Sequence, residues 1–289
     1  MKRVGFVLKR GSAEARDILR ELGPRLRGEG LELVLARGEE QLVPGTHGLA
    51  EDELAAAVDL LVVLGGDGTF LHGTALVADR NVPILGVNLG SLGFLTAFSR
   101  EEAERATLAA LRGELPIQER MRLEVTLLRA DGTREVRSAL NDCVVNQGAI
   151  ARLLDLEALL DGTRITIYKA DGLIIATPTG STAYNLAAGG PILTPDLQAL
   201  VITPICPHTL TNRPLVAPGG SRVTVLVGRQ AEAVVLTIDG QLARQLEPGD
   251  RIEIQRAARP LRMVVSPARG AFDVLRQKLH WGERSPADV

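Results

Sequence analysis

Residues 60–78 read LLVVLGGDGTFLHGTALVA. Leu60–Leu64 is wholly apolar and of strand length, Gly65-Gly66-Asp67-Gly68-Thr69 breaks it, and helical apolar spacing resumes over Thr69–Ala78. A short, continuously apolar strand feeding a helix through a glycine-rich turn is the unit of a parallel sheet covered on both faces. Ligands bind such sheets at the carboxyl ends of the strands, where this turn lies. Glycines admit positive φ and close approach of a ligand to the main chain, and the free amides of a helix start favour an anion. Gly65, Gly66, Gly68 and Thr69 are therefore a candidate phosphate loop, although a plain strand-to-helix turn capped by Asp67 would read the same way. A carboxylate beside phosphates is unfavourable unless it orients a hydroxyl or a metal, which singles out Asp67. The Gly-Lys-Ser/Thr of a P-loop is missing from the motif.

Outward from this stretch, Val4–Leu8, Leu31–Leu35 and Pro83–Val87 read as further compact strands, and Ser12–Arg27, Glu51–Val58 and Glu101–Arg112 as helices, the last stopped by Gly113 and Pro116. Asn88–Leu95 follows the third of those strands with two glycines; it either walls the pocket at Asp67 or plugs the core with Phe94 and Leu95. Residues 1–115 thus read as a Rossmann-like α/β domain. Beyond Pro116 the period changes to two: Arg122–Leu127, the segment through Val136 and Leu140, Arg164–Tyr168, Arg222–Val227, Ala233–Ile238 and Arg251–Ile254 alternate. Asp131-Gly132, Asp161-Gly162, Asp239-Gly240 and Pro248-Gly249-Asp250 supply turns, so residues 116–270 read as an all-β second domain. A helical insertion is expected over Ser181–Ala188, and the helical tail 271–289 is expected to pack back on the first domain.

Composition removes whole classes of function. The chain has 289 residues, enough for two domains of about 100–150 residues. A net charge of −2 and 3% aromatics offer neither a field for a polyphosphate backbone nor platforms for bases, so nucleic acid is not an expected partner. No apolar run approaches the ~20 residues of a membrane helix, and Lys9 and Arg10 interrupt the first one too early for a signal peptide. Cys143 and Cys206 have no metal-ligand spacing; they suit a reducing, cytoplasmic setting and read as small core residues.

Three further places could carry chemistry. Asn141-Asp142 sets an amide beside a carboxylate, donor and acceptor for a diol such as ribose, although an Asx-capped turn uses the same pair. Lys169–Pro191, KADGLIIATPTGSTAYNLAAGGP, places Thr179-Gly180-Ser181-Thr182 before a helix start with Tyr184 and Asn185. More hydroxyls and glycines stand there than a capped helix needs, which favours phosphate or ribose binding. His72 follows the glycine-rich turn and His208 lies in a Pro-Cys-Pro segment, whereas His47 and His280 have no context.

Together these segments resemble the NAD kinase family. The carriers are LGGDGTFL (Leu64–Leu71), NLGSLGFLT (Asn88–Thr96), DGLIIATPTGSTAYNLAAGGPI (Asp171–Ile192), TPICPHTLTNRPLV (Thr203–Val216) and DGQ (Asp239–Gln241). GGDGT alone is shared with diacylglycerol kinases, so a lipid kinase is one rival reading and a non-catalytic NAD sensor another. The resemblance implies an α/β domain and a β-sandwich domain with the active site between them, ATP as phosphate donor with a divalent ion (Mg²⁺ or Mn²⁺) brought by it, and transfer to the 2′-hydroxyl of the adenosine ribose of NAD. It also implies a homodimer or homotetramer. By motif it makes Asp67 the base on the ribose hydroxyl, lays Gly68 against the dinucleotide, and has Asn141 and Asp142 hold the nicotinamide-side ribose and neighbouring adenine. Asp142 stands where the family carries Glu, one methylene longer. Asp171 is implied near the carboxamide or the neighbouring subunit's ligand, Thr182, Ala183, Tyr184, Asn185, Leu186 and Ala187 along the adenine site, and Arg152, Lys169, His72 and Gln241 around the phosphates and riboses.

Overall fold

The computed structural model describes residues 2–78, 80–90, 93–148, 154–209, 211–228 and 233–281. In chain order the elements begin with β1 (Arg3–Leu8), α1 (Ala13–Gly28), β2 (Glu32–Ala36), β3 (His47–Leu49), α2 (Glu51–Ala57), β4 (Leu60–Leu64), α3 (Asp67–Leu76), β5 (Ile84–Val87), α4 (Ala103–Arg112) and β6 (Ile117–Arg120). A long run of strands follows: β7 (Leu123–Leu128), β8 (Arg134–Ala139), β9 (Asp142–Gln147), β10 (Leu154–Leu160), β11 (Thr163–Ala170) and β12 (Gly172–Ala176). After α5 (Tyr184–Ala187) come β13 (Ala199–Ile205), β14 (Leu215–Pro218), β15 (Val223–Val227), β16 (Val234–Ile238), β17 (Leu242–Leu246) and β18 (Arg251–Arg256). The chain closes with β19 (Leu261–Val264) and α6 (Ala271–Leu279). It forms two compact units, one of the residues up to Glu119 together with those from Leu261 onward, the other Arg120–Pro260.

The first unit is a seven-stranded sheet in the order β3-β2-β1-β4-β5-β19-β6, with parallel pairing from β3 through β19. Its central strands are buried because helices cover them; every residue of β4 and β5 is buried. Ser12 caps α1 by accepting the Ala15 N–H, and Ile18, Leu19, Leu22 and Leu26 face the sheet. The chain winds from β1 outward to β3 and then returns to lay β4 on the other side of β1, so the order reverses between β1 and β4. That reversal is where doubly wound sheets bind ligands, and the turn after β4 opens there. Return to this unit is made by β19, which pairs with β5 through Met263 and Ile84, ahead of α6.

The second unit is a sandwich of two six-stranded antiparallel sheets, β11-β10-β15-β18-β7-β8 and β14-β13-β12-β9-β16-β17. One core lies between them, with Leu123, Val125, Ile252 and Ile254 from one sheet meeting Cys143, Val145, Leu173 and Ile175 from the other. The outer face of the second sheet is also covered, since Val144, Ile174, Ala176 and Val201 are buried with Ala188, Leu193 and Ile205 packed over them. Asp161 and Gly162, at φ 50° and 81°, join β10 to β11 with the positive-φ pair that a right-twisted hairpin demands.

Several boundaries differ from the sequence reading. α3 starts at Asp67 rather than Thr69, because Gly66 takes the N-cap position in extended conformation. The expected helix 181–188 is two pieces, a 3₁₀ turn Gly180–Thr182 and α5, broken where Ala183 leaves helical geometry at ψ −129°. Cys206, expected in the core, is exposed; it lies just past β13 at φ 46°, where the chain turns.

Candidate active site

Three backbone features build the glycine-rich turn. The Gly65 N–H donates to the Val87 carbonyl, and a Cβ on Gly65 would stand 2.4 Å from Thr69 Oγ1, so close packing reserves that position for glycine. Gly66 and Gly68 are different: neither has positive φ and a Cβ on either would meet nothing within 4 Å. Neither backbone conformation nor packing explains those two glycines, and bare main chain at the start of α3 suits close approach by a ligand.

Asp67 does not cap its own helix. Its Oδ2 accepts the Phe94 N–H at 2.9 Å, its Oδ1 the Leu95 N–H at 3.0 Å, and the buried Thr96 hydroxyl stands at 3.4 Å from Oδ1. Asn88 Nδ2 donates to Thr96 Oγ1 at 2.9 Å, continuing the chain into the core. Gly93 lies so near that a Cβ there would sit 2.0 Å from Asp67 Oδ1. The loop after β5 is therefore tied to the turn after β4 by one half-exposed carboxylate, while Leu95 is buried as a plug. Phe94 beside it is half-buried, and Ser91 and Leu92 lie outside the described residues. A carboxylate offers about four acceptor sites, so three donors leave room for a hydroxyl. His72, one turn on, has Nε2 at 2.5 Å from Glu51 Oε1.

In the second unit a pocket of about 340 Å³ is lined by Asn141, Asp142, Asn146, Ala183, Tyr184 and Asp239, among others. Asp142, Val144 and Asn146 alternate along β9 on the face turned away from the sandwich core, and Tyr184, 44% exposed, stands at the start of α5. The corner Leu140–Asp142 is gripped from two sides. Asp239 accepts the N–H groups of Leu140, Asn141 and Asp142 at 2.8, 2.7 and 3.1 Å, and its own N–H donates to the Asp142 carbonyl at 3.0 Å. Thr177 donates its hydroxyl to the Leu140 carbonyl at 2.5 Å and its N–H to the Asn141 carbonyl at 2.9 Å. Gly180 must be glycine, for a Cβ would lie 2.0 Å from the Asn141 carbonyl oxygen.

Electrostatics follow from that packing. Burial, aided by the charge of Asp239, pushes the Asp142 carboxyl up to about 7. Burial also raises Asp239, against the downward pull of its three amides and of Arg122. Asp239 is the member that keeps the charge, because three N–H donors face it. Burial pushes the Cys143 thiol far up, so it is an inert core residue. Among the described residues no group of three or more His, Cys, Asp or Glu side chains could hold a metal ion.

The structure thus brings Asn141, Asp142, Ala183 and Tyr184 together in one pocket, with the exposed Gln241 next in sequence to its lining residue Gly240. Asn185 is placed otherwise: wholly buried, it donates to the Ser181 and Pro191 carbonyls and accepts from Thr203, so it fastens α5 to the sheet. Thr182 and Leu186 are half-buried and Ala187 exposed. Lys169 and Asp171 are exposed and do not line the pocket; Lys169 has Nζ 3.8 Å from Asp155. Arg152 lies outside the described residues. Thr177, Asn146 and the anchoring role of Asp239 were missed. Asn146 shares a face with Asp142 only once β9 is in place, and its buried Oδ1 has no hydrogen-bond partner among the described residues. Asp239 reads locally as a turn residue and nothing more.

A doubly wound α/β unit with a bare glycine turn at its switch point, and a sandwich unit with an amide–carboxylate pocket, define a nucleotide-binding protein of mixed α/β and all-β build. Residues 4–115 match the ATP-NAD kinase N-terminal domain and residues 140–266 the ATP-NAD kinase C-terminal domain. The NAD kinase of Geotalea daltonii is 47% identical over 284 residues, covering 98% of this chain and all of that one. The crystal structure of yeast NADH kinase complexed with NADH superposes with a TM-score of 0.90 at 29% identity, covering 99% of this chain and 89% of that one. An NAD kinase from Archaeoglobus fulgidus in complex with ATP gives 0.77 at 26% identity, with 96% and 98% covered. The chain belongs to the ATP-NAD kinase family.

Proposed function

We propose that the chain transfers the γ-phosphoryl group of ATP to the 2′-hydroxyl of the adenosine ribose of NAD, giving NADP and ADP. The observation that carries the chemistry is the Asp67 carboxylate at the head of α3, fixed by two main-chain amides yet half-exposed and with acceptor capacity remaining. The 2′-oxygen forms its bond to the γ-phosphorus as the bond from that phosphorus to the β–γ bridging oxygen breaks, and the hydroxyl proton passes to Asp67. A ribose hydroxyl is too weak an acid to lose its proton before its oxygen begins to bond to phosphorus. Asp67 therefore orients the hydroxyl first and takes its proton late, once bond formation has made it acidic. Phosphoryl transfer asks the protein chiefly for such positioning and for charge stabilisation; the amides at Gly66, Gly68 and Thr69 suit the phosphates.

Asn141 and Asp142 hold ribose and adenine, Tyr184 offers a ring face to the base, and the unpaired Asn146 Oδ1 suits a hydroxyl or amino donor. The remaining contacts, Lys169, Asp171, Arg152, His72 and Gln241, belong to this reading through the family motifs. The described residues do not fit a dedicated metal cage: Asp67 has its oxygens turned to amides and no donor cluster stands elsewhere. The divalent ion, Mg²⁺ or Mn²⁺, enters as part of the metal–ATP substrate. A homodimer or homotetramer and a cytoplasmic location complete the reading; two cysteines outside any disulfide suit a reducing compartment. Among the described residues no helix is long and apolar enough to cross a membrane.

Purified protein with ATP, Mg²⁺ and NAD should form NADP, read through an NADP-specific dehydrogenase. Asp67→Asn should bind NAD and lose about 10²–10⁴-fold in kcat, the usual worth of a positioned base. Equal turnover by the variant would remove Asp67 from the chemistry. Phosphorylation of a lipid in detergent, with none of NAD, would replace the reading altogether.

A further inference from the structure

The dinucleotide reading leaves one half-buried acid, its carboxylate desolvated, without a part. Asp239 stands on the turn between β16 and β17, about a hundred residues along the chain from Leu140–Asp142. Three consecutive main-chain N–H groups converge on its two oxygens, and it returns an N–H to the Asp142 carbonyl. Thr177 holds the Leu140 and Asn141 carbonyls from the opposite side. Every main-chain polar group from the Leu140 N–H to the Asp142 carbonyl is thereby committed to Asp239 or Thr177. A corner with no main-chain freedom presents the Asn141 and Asp142 side chains to the pocket in one orientation. This is more than a hairpin needs, because Asp161-Gly162 makes the same positive-φ turn with an exposed carboxylate that takes one main-chain amide, that of Arg222, beside the Ser221 hydroxyl.

We propose that Asp239 is a positioning residue for dinucleotide binding: it acts through the Leu140–Asp142 main chain, aiming Asn141 and Asp142 at the ligand, with Thr177 as the opposing half of the clamp. The inference rests on the pocket being the dinucleotide site. Asp239 also sets the charge state of its neighbour. The groups facing Asp142 are Asp239 from the β16–β17 turn, Arg122 beyond it from the segment before β7, the Cys143 thiol alongside and the Tyr184 phenol from α5. Of these, Asp239 is the one whose charge opposes ionisation of Asp142.

Asp239→Asn tests this without breaking the turn, since asparagine also tolerates positive φ. The variant loses the charge and one acceptor. By calorimetry, the Kd for NAD should rise on the order of tenfold, as expected when one hydrogen bond to a charged group is lost, and the Kd for ATP should stay within about twofold. Amide exchange should quicken at Leu140, Asn141 and Asp142. The acid limb of NAD binding should move to lower pH, because Asp142 ionises more readily once the neighbouring charge is gone; a merely structural role leaves that limb in place. An unchanged NAD affinity, an equal loss for ATP, or an unmoved acid limb each overturns the proposal. Should Asp239→Asn fail to fold, Thr177→Val decides, with weaker NAD binding restored by Thr177→Ser as the expected result and unchanged binding as the refutation. NAD binding without NADP formation by the unaltered protein counts against the kinase reading and leaves this one standing; absence of NAD binding ends both.

Discussion

Asp67 and Asp239 do the same thing in two units built on different plans. Each carboxylate gathers main-chain amides from a distant loop, Phe94 and Leu95 in the α/β unit, Leu140 to Asp142 in the sandwich. The difference lies in what is left over. Asp67 sits half-exposed at a helix start with bare glycines beside it, and has an acceptor site to spare. Asp239, half-buried as a residue, has its carboxylate desolvated beneath the corner it holds. One device thus occurs twice, open at a helix start in the α/β unit and closed beneath a main-chain corner in the sandwich.

Alanine at each position should separate the two uses. Asp239→Ala strands three amides in a buried corner, each costing about 1–3 kcal/mol when unpaired, so urea denaturation should show a loss of about 3 kcal/mol or more. Asp67→Ala leaves its amides within reach of water and should cost about 1 kcal/mol; equal losses would erase the distinction. The glycines facing each carboxylate's loop sharpen it further. Gly180→Ala drives a Cβ into the main chain at Asn141 and should cost about 2 kcal/mol with weakened NAD binding, whereas Gly93→Ala meets the Asp67 side chain. It should cost less stability and appear mainly in kcat, and a pure stability defect would argue against Asp67 as the reacting acid.

The smallest effect is a pH dependence. Asp142 titrates near 7 in the fold and about 4 when unfolded, so between those values the native state binds the extra proton. Its contribution to stability is complete below about 4 and is lost as pH rises through about 7. The protein should therefore be more stable at pH 6 than at pH 8 by about 1 kcal/mol from this group, and Asp142→Asn should flatten that slope. A slope identical in the variant would assign it elsewhere.

What the sequence revealed, and what it hid, follows from distance along the chain. Leu60–Leu64, its glycine turn and the next helix are contiguous, and their reading survived nearly intact because periodicity and turn chemistry are local signals. The edge strands β6 and β17 were hidden: Ile117–Arg120 and Leu242–Leu246 are short and half polar, as edges are. On β9 both faces are buried around Cys143-Val144-Val145, so no alternation marks Asp142 and Asn146 as sharing a face. Asn185 shows the opposite case. An asparagine after a hydroxyl-rich loop resembles a ligand contact, and only the packed structure shows its amide spent on Ser181, Pro191 and Thr203.

The order in which strands lie has a consequence for how the molecule is made. β19 is wedged between β5 and β6, yet its residues, Leu261–Val264, come after the whole sandwich in the chain. A nascent chain emerging from the ribosome therefore presents the α/β sheet early, with the flank of β5 bare and β6 lacking its neighbour. The sandwich can close once Pro260 is out. Only the few residues that follow give the older unit its missing strand, so the part begun first is finished last.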